Sequence, residues 1–355
     1  MALSNTSQGA IIISVFLLPI LTYILYTRFF LRKSSTPLPP PTEITRLFIH
    51  PIKSCHGISV PSARLLPTGL DLDRQWMWVT YPDHKFLTIR NLSKMTLIRI
   101  TYDDKTDKLT VSAPAPNSVD EKLHFEIPAH PSQQWLDENT ETVLATVWST
   151  MTPAHRYSTS LTAPFNAFFG QEVRLVYKPS VSDSPRALIG NGAKQYLGRA
   201  ASVCFADLMP VLIGCESSIA ELNERLKGAE GLNIDVTRFR PNILVKGHEP
   251  WSEDRWKSVR ISQSSSIKGG GSGLELDVVA RCARCHVPNV DPETAEEHKR
   301  QPWDTMMKYR RVDPGITFKP CFGMLCVPRL EGEVRVGDVL EVTKTTDNHR
   351  YIKGM

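Results

Sequence analysis

The sequence predicts a mainly β protein with some α structure (α+β), preceded by one N-terminal transmembrane helix. Three observations predict it. Short β-branched or aromatic segments recur from Ile44 onward, clear helical periodicity is confined to the second half, and one uncharged apolar run lies near the N-terminus. With 41% hydrophobic and 22% charged residues over 355 positions, the chain can bury a core and is not of the disordered class. Its net charge is +5, but residues 1–40 hold Arg28, Arg32 and Lys33 and no acid, so the remainder is close to neutral. That excludes the clustered basic footprint of a nucleic-acid binder. Seven cysteines, an odd number spread over a long chain, argue against a disulfide framework and for a reducing compartment.

Taken in order, residues 10–26 (AIIISVFLLPILTYILY) are uncharged and apolar, and the run extends to Leu31 if Arg28 snorkels. A helix over 10–31 reaches roughly 33 Å, enough for a hydrocarbon core of about 30 Å. The preceding residues lack Lys and Arg and no small-residue cleavage pattern follows, which favours a retained anchor (residues 1–33) over a signal peptide. All nearby basic residues follow the run, so the bulk of the chain is expected in the cytosol. Residues 34–43, with SSTPLPPP, read as an extended linker. Strands are expected at 46–52, 74–80, 85–90, 96–102, 108–113, 122–127 and 173–178, a spacing that suits a β-barrel or a sandwich. The Ser-, Asp- and Pro-rich stretch 179–185 separates a first half, 44–180, from a second, 185–343, followed by a tail, 344–355. The first convincing helix is expected near Ser218, with Ser218 and Glu221 as a capping box, and another from Pro302, with Trp303, Met306 and Met307 inward. Strands 259–261 and 274–281 flank a flexible Gly/Ser loop, 264–273.

The densest chemistry lies in RCARCHVPNVDP (281–292), where an apolar strand hands over to a loop. Cys282 and Cys285 form C-x-x-C, and Cys321 and Cys326 form C-x₄-C. Four thiolates could bind zinc or an iron–sulfur cluster, although knuckle glycines are missing and the spacing order is reversed from plant-type ferredoxins. A redox C-x-x-C lacks its βαβ context. A single thiolate could instead bind a soft high-valent metal carried by a cofactor, with Arg284 beside Cys285 lowering the thiol pKa. Residue types alone favour a buried structural cysteine. Basic residues with neighbouring hydroxyls or amides, Lys53–Ser54, Arg74 and Arg240–Pro241–Asn242, sit at expected strand ends, and a phosphate monoester needs such donors. Asp207 reads either as a turn residue or as an acceptor for a heterocycle. Trp76, Trp78 and Phe86 read as core. Zinc-hydrolase histidine spacing, G-x-S-x-G, Walker A and G-x-G-x-x-G motifs are all missing.

Together HPIKSCHG (50–57), GLDLDRQWMWV (69–79), FLTIR (86–90), FADLMPVLI (205–213), TRFRPNILV (237–245), RCARCHVPNVDPETA (281–295), KPCFGM (319–324) and VRVGDVL (334–340) occur in an order that resembles the MOSC-domain family, and within it the mitochondrial amidoxime reducing components. The resemblance implies an N-terminal MOSC β-barrel domain and a MOSC β-barrel domain with molybdenum cofactor (Mo-molybdopterin) between them. It makes Cys285 the catalytic metal ligand, gives Lys53, Ser54 and Arg74 the cofactor's phosphate, and gives Asp207, Arg240, Asn242 and Arg284 its pterin or phosphate. It further implies a membrane-anchored reductase of N-hydroxylated compounds, fed by cytochrome b5 and its NADH-dependent reductase at the mitochondrial outer membrane, and a monomer. The alternative is a cofactor carrier or sulfurase-related module. Pyridoxal phosphate chemistry is not expected of this chain, because the 43 residues before Ile44 leave no room for its domain. Leu208 and Met209 stand where relatives often carry hydroxyls, and Ala283 removes another such contact.

Overall fold

The computed structural model describes residues 20–24, 37–116, 118, 120–263 and 273–354. The expected anchor helix lies almost wholly outside these residues; 20–24 are helical. Among the described residues no helix is long and apolar enough to cross a membrane. The Gly/Ser loop also falls mostly outside them.

Residues Pro40–Met355 form one compact unit built on β-strands, numbered β1–β18 in chain order. Its centre is a barrel of seven strands: β13 (Ile243–Val245), β12 (Val211–Cys215), β16 (Cys321–Pro328), β15 (Leu274–Ala283), β14 (Trp256–Ser262), β18 (Val339–Thr345) and β1 (Thr42–Ile49), closed by β1 pairing back to β13. Only the β12–β13 pair in this ring is parallel. Strand β2 (Ile58–Val60) extends the sheet from β1. Closure removes the unpaired edges that an open sheet would present.

A four-stranded antiparallel sheet runs β5 (Trp76–Thr80), β11 (Val173–Tyr177), β10 (Thr150–Tyr157), β9 (Thr140–Val147). Two three-stranded sheets complete the unit. One is β17 (Gly332–Arg335), β3 (Ser62–Leu66), β4 (Gly69–Leu70), and the other is β6 (Arg99–Asp103), β7 (Lys108–Pro114), β8 (Lys122–Pro128). The sequence halves therefore share sheets: β1 belongs to the barrel formed mainly by the second half, and β3 pairs with β17. The largest buried cluster spans both, from Trp76 and Trp78 to Ile44, Val211, Val259 and Val342. Trp78 stacks on Phe165 at 5.2 Å. Phe86 is only half-buried and meets Trp148 at 4.8 Å.

Several local expectations need correction. Residues 85–90 make isolated bridges (Lys85 to Thr146, Phe86 to Val79) and then turn; the bridges touch β9 and β5, the two edge strands of one sheet. Residues 93–97 are a 3₁₀ turn, so β6 starts at Arg99. The hairpin β9–β10 was missed because Pro153 argues against a strand; the proline sits outside the stretch of β10 paired with β11, which begins at His155. The helix Gln133–Asn139 was also missed, although Ser132 Oγ accepts from Trp135 N at 3.2 Å as a regular cap. The later helix spans Glu216–Glu230, directly continuing β12, with Cys215 as its cap and no capping box. Ser218 is buried and instead accepts from Trp251 N at 2.8 Å. The helix Trp303–Tyr309 follows Pro302 as expected and buries Met306, while Trp303 and Met307 are half-buried.

Candidate functional site

One cleft gathers all eight residues singled out above: Lys53, Ser54, Arg74, Asp207, Arg240, Asn242, Arg284 and Cys285. It is open to solvent. Strand ends supply it. Lys53 and Ser54 follow β1, Arg74 precedes β5, Asp207 precedes β12, Arg240 and Asn242 precede β13, and Arg284 and Cys285 follow β15. Ser54, Arg74 and Arg240 all adopt positive φ (68°, 51° and 57°), a conformation non-glycine residues hold only where surroundings enforce it.

The electrostatics are those of an anion receptor. Six cations line the cleft, Lys53, Arg74, Arg90, Arg240, Arg284 and Lys319, against one carboxylate, Asp207. Lys53 Nζ donates to Phe205 O at 2.9 Å and pairs with Asp207. Burial pushes its ammonium down to about 8, against the pull of Asp207. Asp207 also accepts from Arg90 Nη2 and from Trp148 Nε1, each at 3.1 Å. Burial alone would raise this carboxyl, but Lys53 and Arg90 hold it well below the usual range. Arg74 Nη1 donates to Asp73 Oδ2 at 2.5 Å and Asn242 Oδ1 at 3.2 Å. Despite burial, which acts upward, Arg74 and His50 hold Asp73 at about 2. Asn242 also accepts from Leu212 N at 3.1 Å and donates to Phe48 O at 3.3 Å, so it anchors Arg74 from inside the protein.

Two cleft guanidiniums carry buried N–H groups with no acceptor among the described residues. Arg240 Nη1 donates to Cys55 O at 2.8 Å while its Nη2 has no partner, and Arg284 Nε has none either. Burial and the neighbouring Arg74 bring Arg240 down to about 10. An acceptor from outside the protein would relieve both orphans, since leaving a charged donor unpaired is costly.

The cysteines separate cleanly. Cys285 is the half-exposed one of the seven; the other six are buried. The expectation that Arg284 would act on Cys285 is corrected: Arg284 Nη1 donates to Cys282 Sγ at 2.9 Å and Nη2 to Phe239 O at 2.8 Å. Side chains alternate past the end of β15, so residues 282 and 284 share a face and 285 takes the other. The guanidinium that faces the Cys285 thiol is Arg90, whose pKa burial would lower but Asp207 and Cys285 raise. Cys321 and Cys326 lie buried along β16. Among the described residues no three His, Cys, Asp or Glu side chains could share a metal ion, which removes the four-thiolate reading.

The family model for the MOSC N-terminal beta barrel domain matches residues 42–156, and that for the MOSC domain matches residues 200–341. The chain belongs to the MOSC-domain family. It is 28% identical over 312 residues to mitochondrial amidoxime reducing component 2 of Bos taurus, covering 83% of this chain and 81% of that one. Its identity to mitochondrial amidoxime-reducing component 1 of Homo sapiens is also 28%, over 306 residues, 83% of this chain and 81% of the relative. A molybdenum cofactor sulfurase of Solanum lycopersicum is 28% identical over 321 residues, 86% of this chain but 36% of the sulfurase.

Within the MOSC cleft the departures noted in the sequence fall on its lining: Leu208, Met209 and Ala283 make part of the wall apolar. Sequence reasoning missed Arg90 and Trp148 as site residues. Arg90 closes FLTIR, one of the family-like segments, and that was the signal available; Trp148 sits between β9 and β10, a hairpin the sequence reading did not find.

Proposed function

We propose that this chain is a molybdenum cofactor-dependent oxidoreductase that reduces N-hydroxylated compounds such as amidoximes and hydroxylamines. The observation that carries the reading is one MOSC cleft holding six cations, two orphaned guanidinium donors and the half-exposed thiol of Cys285. The residues fit such a cofactor: its phosphate needs charge and directed donors, and its metal needs a soft thiolate. When bound, the cofactor supplies a two-electron metal centre with dithiolene sulfur.

In this reading Cys285 ligates the metal, and Lys53, Ser54, Arg74 and Arg240 hold the phosphate. Asp207 orients Lys53 and Arg90, Asn242 fixes Arg74, and Arg284 offers its free Nε to the pterin. The apolar wall of Leu208, Met209 and Ala283 leaves backbone groups as the donors on that side. Reduction of an N–OH group consumes two electrons and two protons and releases water. Because the sequence carries no flavin, haem or iron–sulfur motif, cytochrome b5 and its NADH-dependent reductase are proposed as the supply. The apolar run at 10–31 supports a single-pass anchor with the bulk of the chain in the cytosol, and the word mitochondrial in the relatives' names supports a mitochondrial location, for which the outer membrane is proposed. The protein is proposed to act as a monomer.

Benzamidoxime reduction by the purified chain with NADH, cytochrome b5 and the reductase tests this directly. Bound cofactor without turnover would instead support a carrier module.

A further inference from the structure

Beyond β18, the chain runs back across the molecule and is tied down at successive residues. His349 is buried, with Nε2 2.6 Å from Trp256 O, and its carbonyl accepts from Arg281 Nη1 at 3.1 Å. Tyr351 N donates to Asp313 Oδ1 at 2.7 Å. Asn191 takes both neighbours, donating to Arg350 O at 2.9 Å and accepting from Ile352 N at 2.8 Å. Two glycines make the close approach possible: a Cβ on Gly315 would collide with the Tyr351 backbone, and one on Gly190 would lie 2.6 Å from Ile352 O. Asp313 is 1% exposed and also accepts from Gly315 N at 2.8 Å. One buried carboxylate thus fixes this segment and the adjoining loop 313–319 together. As a result, Tyr351 from the segment and Ile316 and Lys319 from the loop line the same cleft as Cys285. The match to the MOSC domain stops at residue 341, so residues 349–354 lie beyond the matched range while Ile316 and Lys319 lie within it.

We propose that residues 349–354 form a fixed strap walling one side of the cleft, and that Tyr351 sets the size of the molecule able to reach Cys285. The ring is half-buried, and its backbone N–H is held on Asp313, so the strap presents it to the cleft from a fixed position. The strap admits flat, narrow N-hydroxylated amidines and resists acceptors with bulk beside the N–O group. The substrate class rests on the reductase reading, whereas the size limit does not.

The test uses the full chain, made in a host that lacks the cofactor, and follows alkylation of Cys285 by peptide mass spectrometry with iodoacetamide and with a bulky fluorescein maleimide. Tyr351→Ala is expected to speed the bulky reagent about tenfold while leaving iodoacetamide nearly unchanged, as for removal of a steric limit. Tyr351→Phe, which keeps the ring, is expected to behave as the unaltered protein. Equal acceleration of both reagents, or of neither, overturns the proposal; a melting midpoint for each variant identifies a loosened fold as the source of equal acceleration. In the loaded enzyme, Tyr351→Ala should lower KM for an amidoxime branched beside the N–O group while benzamidoxime stays unchanged. A chain that reduces neither compound overturns the reductase reading, and the labelling result then decides the strap by itself.

Discussion

At the scale of single residues, the cleft works by holding positive charge where few acids oppose it. Arg240 is the sharpest instance, because one arm is fixed on Cys55 O and the other has no protein partner. Arg240→Met is expected to weaken cofactor retention about 10- to 100-fold, the cost of one charge-assisted hydrogen bond, read as molybdenum per chain after dialysis. Lys53 adds a pH dependence. Its ammonium is depressed to about 8, so the empty site is fully charged only below that value. An anion that binds the charged form raises this pKa, so affinity is highest below pH 8 and declines as pH rises through it. Lys53→Arg should move that decline upward, and a retention profile from pH 6 to 10 checks it; a flat profile would remove Lys53 from the phosphate site. The residues with readable chemistry were legible in the sequence because Cys285, Arg74 and Arg240 lie in dense motifs at strand ends. Arg90 was not, since which guanidinium faces a thiol depends on the packing of β15 against a segment almost 200 residues away in the chain.

At the scale of elements, the strands were found where β-branched residues alternate and lost where another constraint dominated, as with Pro153 in β10 and the segment 85–90, which bridges the two edges of one sheet. One clamp between elements went unnoticed. His130, after β8, lies 2.9 Å from Asp71 and 2.6 Å from Asp107 of the β6–β7 turn. The hydrogen bond to Asp71 and then that to Asp107 raise its pKa to about 9, against desolvation. The folded state therefore gains from the protonated ring below the ordinary value of 6.5, and the gain disappears as pH rises through 9. His130→Ala should destabilise by at most about 1 kcal/mol at pH 6, because the pair is half exposed and screened. Urea unfolding at pH 6 and pH 10 should show the difference between variant and parent vanish at the higher pH.

At the scale of the whole molecule, the mainly β architecture was legible through the family-like segments, but the sharing of sheets between the two sequence halves was not. Local periodicity carries no record of which distant strand β1 will pair with, and β1 joins the barrel of the second half. The arrangement matters for function, because Lys53 and Ser54 follow β1 and are brought opposite Arg240 and Cys285 by that pairing. Charge separates along a different line: three net charges flank the apolar run and the folded unit stays near neutral. Deletion of residues 1–39 is expected to move the protein from the membrane pellet to the supernatant in carbonate-washed fractions without loss of benzamidoxime reduction. One cleft is proposed to hold a molybdenum cofactor through Cys285. The most direct test is elemental analysis of the purified full chain beside benzamidoxime turnover, with Cys285→Ala in parallel. The prediction is close to one molybdenum per chain and turnover that falls at least about 1000-fold in the variant, as for loss of a group the reaction requires; zinc without molybdenum, or full turnover in Cys285→Ala, contradicts it.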